Sequence, residues 1–216
     1  MKITHFGHAC VLVEIERDSG SARLLFDPGT YATGFEDVRD LDAVLITHEH
    51  PDHLDIERLA PLLAANSGAR LIVDEGSSAR LAAVGLQHEI VGKGGAVTLA
   101  GVPVQVVAGD HAVIHPQLAC VHNNGYLVDG RLFHPGDAFA LPPQRVDVLL
   151  LPSGGPWMKV SEAIDYLRAV APRTAIPIHQ EGLATVHQQL HQQLFRNLGP
   201  KECSVQVLDH GTATAV

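Results

Sequence analysis

Positive charge is scarce in this chain. Lys and Arg number 15 against 24 Asp and Glu, a formal net charge of −9 over 216 residues. That balance argues against a surface that tracks phosphate backbones by charge alone, so a nucleic-acid partner is not expected. Cysteine is scarce too. Cys10, Cys120 and Cys203 are odd in number, widely spaced and without a CxxC pair. They exclude a disulfide framework and point to buried thiols in a reducing, cytoplasmic compartment. No apolar run is long enough to span a bilayer, so no membrane partner is expected. The N-terminal stretch holds His5 and His8 within its apolar part and Glu14 and Glu16 after it, and does not read as a signal peptide. Exact repeats, low-complexity tracts and linkers are missing, so residues 1–216 are expected to form a single domain. With 46% apolar and 18% charged residues, disorder is not the expectation either.

Histidine is abundant, at 14 residues. It is the commonest metal ligand and titrates near neutrality, so its excess calls for an explanation. The apolar pattern sets the frame. Strands are expected at 3–5, 10–15 and 23–26, with Asp18-Ser19-Gly20 as a turn, and at 41–47, 70–73, 96–99, 102–107, 126–128, 131–134, 146–151, 174–178 and 205–208. Helices are expected at 56–65, at 78–84, from an N-cap at Ser161 to 171, and at 185–198 with Val186, Leu190 and Leu194 on its buried stripe. The elements fall into two similar blocks, strands first and helices after. The fold class is therefore α/β (α+β), two sheets packed together with helices outside.

The stretch Thr47-His48-Glu49-His50-Pro51-Asp52-His53 directly follows the apolar run LDAVLIT. In extended backbone an HxH pair puts both imidazoles on one side, because side chains alternate with period two. His48 and His50 then face one ion, and Glu49 points the opposite way. Asp52 and His53 follow the bend at Pro51, where they can turn toward a second ion. Imidazole and carboxylate donors without thiolate suit zinc, manganese or iron, with zinc preferred.

THEHPDH resembles the THxHxDH signature of the metallo-β-lactamase superfamily, in its glyoxalase II-like version. GHACVLVE and LLFDPG upstream resemble the subgroup of ascorbate-6-phosphate lactonase-like proteins and related small hydrolases. The resemblance covers nearly the whole chain and implies a four-layer αββα sandwich of two mixed sheets with outer helices. It also implies further ligands at strand ends. His111 in GDHAVIH is preferred over His115, being nearer its strand. Asp137 in FHPGDAF fits the bridging aspartate, with Gly136 permitting close backbone approach, and His179 in AIPIHQE fits the last histidine. His48, His50 and His111 would hold one divalent ion, Asp52, His53 and His179 a second, and Asp137 would bridge.

The implied activity is a hydrolase that uses a metal-bound hydroxide to cleave an ester, lactone or phosphodiester of a small molecule. Asp52 would orient the nucleophile and carry a proton, in competition with its role as a ligand. His8 would bind substrate or the developing anion, the alternative being a histidine bonded within the sheet. Asp27 is expected to support a ligand histidine. His134 is either a pocket residue or a strand-end residue, Trp157 is packing or pocket lining, and His187 and His191 form a solvated face. Two other classes stay open: an iron oxidoreductase of the sulfur dioxygenase kind, with one or two irons, and a non-catalytic metal-binding module. A homo-oligomer is compatible with the size.

Overall fold

The computed structural model describes residues 1–17 and 20–216. Asp18 and Ser19 of the expected turn lie outside the described residues. The first block comprises β1 (Lys2–His5), β2 (Val11–Arg17), β3 (Gly20–Phe26), β4 (Ala43–Leu45), α1 (Ile56–Ala65), β5 (Arg70–Val73), α2 (Glu75–Ala83) and β6 (Glu89–Ile90). The second comprises β7 (Ala96–Leu99), β8 (Val102–Asp110), β9 (His122–Val128), β10 (Leu132–His134), β11 (Val148–Pro152), α3 (Val160–Val170), β12 (Thr174–Ile178), α4 (Thr185–Leu198), β13 (Ser204–Val205) and β14 (Thr214–Ala215).

The strands form two seven-stranded mixed sheets, in the orders β14-β1-β2-β3-β4-β5-β6 and β13-β12-β11-β10-β9-β8-β7, so that the last strand of the second block, β14, returns to the edge of the first sheet. In both halves the earlier strands pair antiparallel and the later ones parallel. Strand alternation sorts the side chains into layers. Leu24 and Phe26 face the other sheet while Leu25 faces the helices, and Val148 and Leu150 against Leu149 and Leu151 repeat the division. The inter-sheet core joins β1–β5 to β7–β12, and one outer cluster lies on each side, under α1 and α2 or under α3 and α4. This is the αββα sandwich the resemblance implied. No helix among the described residues is long and apolar enough to cross a membrane.

Local chemistry shifts several boundaries. Asp74 caps α2 by accepting from Gly76 and Ser77, so that helix starts before the expected 78. The third helix begins at Val160, not after a Ser161 cap, because Glu162 reaches back to accept from the Lys159 N–H at 2.7 Å. The face of α4 needs correction: Val186 is 67% and Leu190 48% exposed, and Phe195 is the residue it buries. His191 is half-buried rather than solvated, with Nδ1 bonded to the Ser153 carbonyl at 2.7 Å. Of the three thiols only Cys10 is buried; Cys120 is exposed and Cys203 intermediate.

Candidate metal centre

The chemistry-bearing side chains gather where strands end. His8 follows β1, Asp27 follows β3, Thr47 and His48 follow β4, His111 follows β8, Asp137 follows β10 and His179 follows β12. Carboxyl ends of strands are the usual rim for such sites in open sheets. His8, Asp27 and His179 hold left-handed backbone at φ 52°, 46° and 60°, a conformation that costs non-glycine residues energy and collects at functional rims.

His48, His50 and His111 converge, with the Nε2 of His48 and the Nδ1 of His50 3.0 Å apart. They do not meet through strand alternation: β4 ends at Leu45, and the stretch from Thr47 to His53 is a series of bends and turns. Its tightness comes from His53 and Leu54 both donating backbone N–H to the His50 carbonyl. His111 joins this group, whereas His115 is exposed. Glu49 lies beside Gly76 at the start of α2, away from the ligands.

The other group is Asp52, His53 and His179 together with His8. Asp137 stands between the two. Its Oδ1 lies 3.1 Å from the Nε2 of His53, and its Oδ2 lies 3.0 Å from the Nε2 of His179 and 3.4 Å from the Nε2 of His111.

Several ligand atoms are oriented from behind. Asp27 Oδ2 faces His53 Nδ1 at 2.8 Å and accepts from the Thr47 hydroxyl at 2.7 Å, and that hydroxyl lies 3.0 Å from His48 Nδ1. His111 Nδ1 faces the Ala112 carbonyl at 2.6 Å. Protons held on these Nδ1 atoms leave each Nε2 with a free lone pair. Sequence reasoning missed Thr47 in this role, and Asn123, whose Oδ1 accepts from the Asp137 N–H at 2.9 Å. The His-Asn-Asn run that opens β9 was the available signal. His134 is not a pocket residue: it is fully buried behind the site, 3.5 Å from Asp27.

The donor atoms fit a metal. His53 Nε2, His111 Nε2, His179 Nε2 and Asp137 Oδ1 are buried and have no hydrogen-bond partner, an arrangement that costs free energy unless something else satisfies them. Burial pushes the His48 pKa well below its ordinary value, which keeps that imidazole neutral and ready to donate a lone pair. Burial also opposes charge on His53 and His179, but the carboxylates outweigh it. Asp137 and Asp27 raise His53, and Asp137 and Asp52 raise His179 to about 9. Asp137 is itself held well below the carboxylate range, against its burial, by His53 and His179. The cluster therefore demands positive charge, and a divalent cation supplies it without protons.

Trp157 is neither bare packing nor pocket lining. Its Nε1 donates to Asp137 Oδ2 at 2.7 Å and fixes the carboxylate that stands between the two groups. Trp157→Phe is expected to keep the fold and weaken metal binding about 10–100-fold. A competitive chelator titration checks this, and unchanged affinity would remove Trp157 from the site.

His5 lies behind His8, its Nε2 2.9 Å from the His8 carbonyl, with His210, His8 and His134 around it. Burial lowers its pKa to about 4. The unfolded chain takes up this proton near pH 6.5 and the folded chain only near 4, so stability is full above 6.5 and is lost as pH falls through that window. The slope is about 1.4 kcal/mol per pH unit. His5→Gln should flatten this acid limb in denaturant melts at pH 7 and 4.5; an equal drop in both proteins would contradict the assignment.

The family model described as "Beta-lactamase superfamily domain" matches residues 2–179. The chain is 50% identical over 185 residues to Protein Rv0786c of Mycobacterium tuberculosis, covering 83% of this chain and 84% of that protein. It is 32% identical over 207 residues to a UPF0173 metal-dependent hydrolase of Methanosphaerula palustris, covering 87% of each. Among solved structures, the metallo hydrolase Igni18 of Ignicoccus hospitalis matches with a TM-score of 0.74 at 21% identity, over 99% of this chain and 97% of that one. CmlA, a diiron β-hydroxylase from Streptomyces venezuelae, matches with a TM-score of 0.71 at 16% identity, over 100% of this chain and 54% of that one. Both structural likenesses concern the fold.

Proposed function

The chain belongs to the metallo-β-lactamase superfamily, and from that membership we propose that it is a metal-dependent hydrolase acting on an ester, lactone or phosphodiester bond of a small molecule. The observation that carries this reading is the position of Asp137, whose two oxygens reach His53 on one side and His111 and His179 on the other. A structural metal site is usually closed by its own ligands and has no use for a shared carboxylate beside an open cleft.

His48, His50 and His111 would hold one ion and Asp52, His53 and His179 the other, with Asp137 common to both. Zinc is the first choice, and manganese or iron fits the same donors. Divalent ions at this place supply Lewis-acid activation of water and of a substrate oxygen. The remaining work belongs to the chain. Asp52 is half-buried at the floor of the cleft, with Oδ2 3.0 Å from His8 Nε2 and 3.5 Å from His179 Nε2. It orients the attacking water and takes its proton. His8 holds Asp52 in that position and lines the cleft. Trp157 steadies Asp137. We also place the protein in the cytoplasm, from its unpaired cysteines.

The test is a panel of lactones, thioesters and phosphodiesters offered to protein stripped of metal and reloaded with zinc, manganese or iron. Turnover of at least one class, lost on chelation and restored by metal, is expected. Metal-loaded protein that cleaves none of them, or that turns over only with consumption of oxygen, would contradict the proposal.

A further inference from the structure

An open cleft of about 530 Å³ lies against His8, Asp52 and His179, on the side of the second ligand group. Its size is that of an ordinary small-molecule site, roughly 300–1,000 Å³. Its walls are Tyr31, Pro51, Pro156 and Leu183, together with bare backbone at Gly154, Gly155 and Gly182. The Tyr31 ring stands edge-on to His8 at 5.1 Å. Among the described residues no lysine or arginine lines the cleft, and its acidic group is Asp52.

We propose that this cleft seats an uncharged, apolar substituent of the substrate, so that the enzyme takes neutral carboxylic esters or lactones and rejects substrates with an anionic tail. This inference rests on the hydrolase reading above. A tail carrying a carboxylate or phosphate would give up its hydration against walls of Tyr31, Pro51, Pro156 and Leu183 that offer no cationic side chain, the ion at Asp52 and His179 being taken up by the reacting group. An alkyl tail gains from the same walls in proportion to the area it covers.

The glycines make the cleft testable. A Cβ at Gly154 would meet Leu183 Cδ1 at 2.8 Å and the His179 carbonyl at 3.0 Å, so that wall is bare by packing necessity. A Cβ at Gly182 would meet nothing within 4 Å. Gly182 lines the cleft and has room for a Cβ, so a bulky side chain there tests obstruction of the cleft without a built-in clash.

The experiment compares γ-butyrolactone, γ-decalactone and a γ-lactone with a carboxyalkyl tail of equal length, with bis(4-nitrophenyl) phosphate as the phosphodiester arm. Metal-loaded wild-type protein is expected to prefer γ-decalactone. Gly182→Phe should lower kcat/KM for γ-decalactone by at least about tenfold and leave γ-butyrolactone nearly unchanged, at equal metal content and melting temperature. Leu183→Lys, in the same lining, should shift preference toward the carboxyalkyl lactone. Trp157 is the single tryptophan, and its fluorescence on titration with γ-decalactone reports binding apart from turnover. That response should weaken in Gly182→Phe. Preference for the carboxyalkyl lactone or the phosphodiester in wild type would overturn this inference and leave the hydrolase reading standing. So would equal losses on both neutral lactones, or an unchanged fluorescence titration in Gly182→Phe. Absence of any turnover with γ-decalactone still binding would overturn the hydrolase reading and not the cleft.

Discussion

Asp137→Ala is expected to empty the centre and abolish hydrolysis together. The side chain is buried, at 3% exposure, and touches histidines of both ligand groups. No neighbouring carboxylate can replace it: Asp52 reaches the second group, and Asp27 is committed behind His53 and Thr47. Metal per chain should fall by at least half, and kcat/KM by about a hundred- to a thousandfold, the usual scale for removing a charge aimed at the reacting atoms. Removing one partner of a buried charged set can also cost about 3–5 kcal/mol of stability. Asp137→Asn is the companion variant, since it keeps volume and shape. It should fold and still lose the metal. Metal content by plasma mass spectrometry and a circular dichroism melt separate the two effects. Near-normal metal in Asp137→Asn would contradict the bridging role.

Gly29→Ala should do comparable damage from a position that ligates nothing. The turn Asp27-Pro28-Gly29 lies directly under the second ligand stretch. A Cβ on Gly29 would sit 1.8 Å from the Asp52 carbonyl oxygen, 2.1 Å from its carbon and 2.5 Å from the His53 nitrogen. These are backbone atoms, and no rotamer change relieves them. One of the two segments must move, yet both are pinned: Thr30 donates to the Pro51 carbonyl at 2.9 Å and Asp55 to the Pro28 carbonyl at 3.1 Å. A displacement of about 1 Å at a reacting centre costs about a hundredfold in rate. Overpacking of this kind adds about 1–3 kcal/mol of instability. Because the clash falls on Asp52 and His53, and of the first group only His50 is tied to it, through its carbonyl, the variant should lose the second ion ahead of the first. Gly68→Ala, where a Cβ would meet nothing within 4 Å, is the control. Wild-type metal content and activity in Gly29→Ala would show that the 51–54 stretch is not held by this turn.

The ligand stretch was legible because its chemistry is dense in sequence. Four donors lie within THEHPDH, and no surface loop needs that composition. His111, Asp137 and His179 were legible through the resemblance and their places after apolar runs, and the structure brings all three to the same rim. What remained hidden depends on contacts across the fold. Trp157 and Asp137 are twenty residues apart and meet through an indole nitrogen, so a lone aromatic gave no hint of its task. Thr47 acts as a relay between Asp27 and His48 that only the folded backbone creates. The α4 stripe was misjudged for a related reason. Periodicity marks which residues share a face, but packing chooses the face, and Phe195 with the His191–Ser153 bond turned the helix. The strands β6 and β14, each of two residues, are too short to carry any pattern.

The most direct measurement is metal analysis of the protein purified without chelator, paired with a thermal melt before and after metal removal. One to two equivalents of transition metal per chain are predicted, with a melting temperature that falls on chelation and recovers on reloading. Binding at a hundred times Kd alone stabilises a fold by about 2.7 kcal/mol, well within reach of such a melt. Protein that carries no transition metal, takes none up, and melts at the same temperature with or without it would contradict the assignment of this cluster as a metal centre.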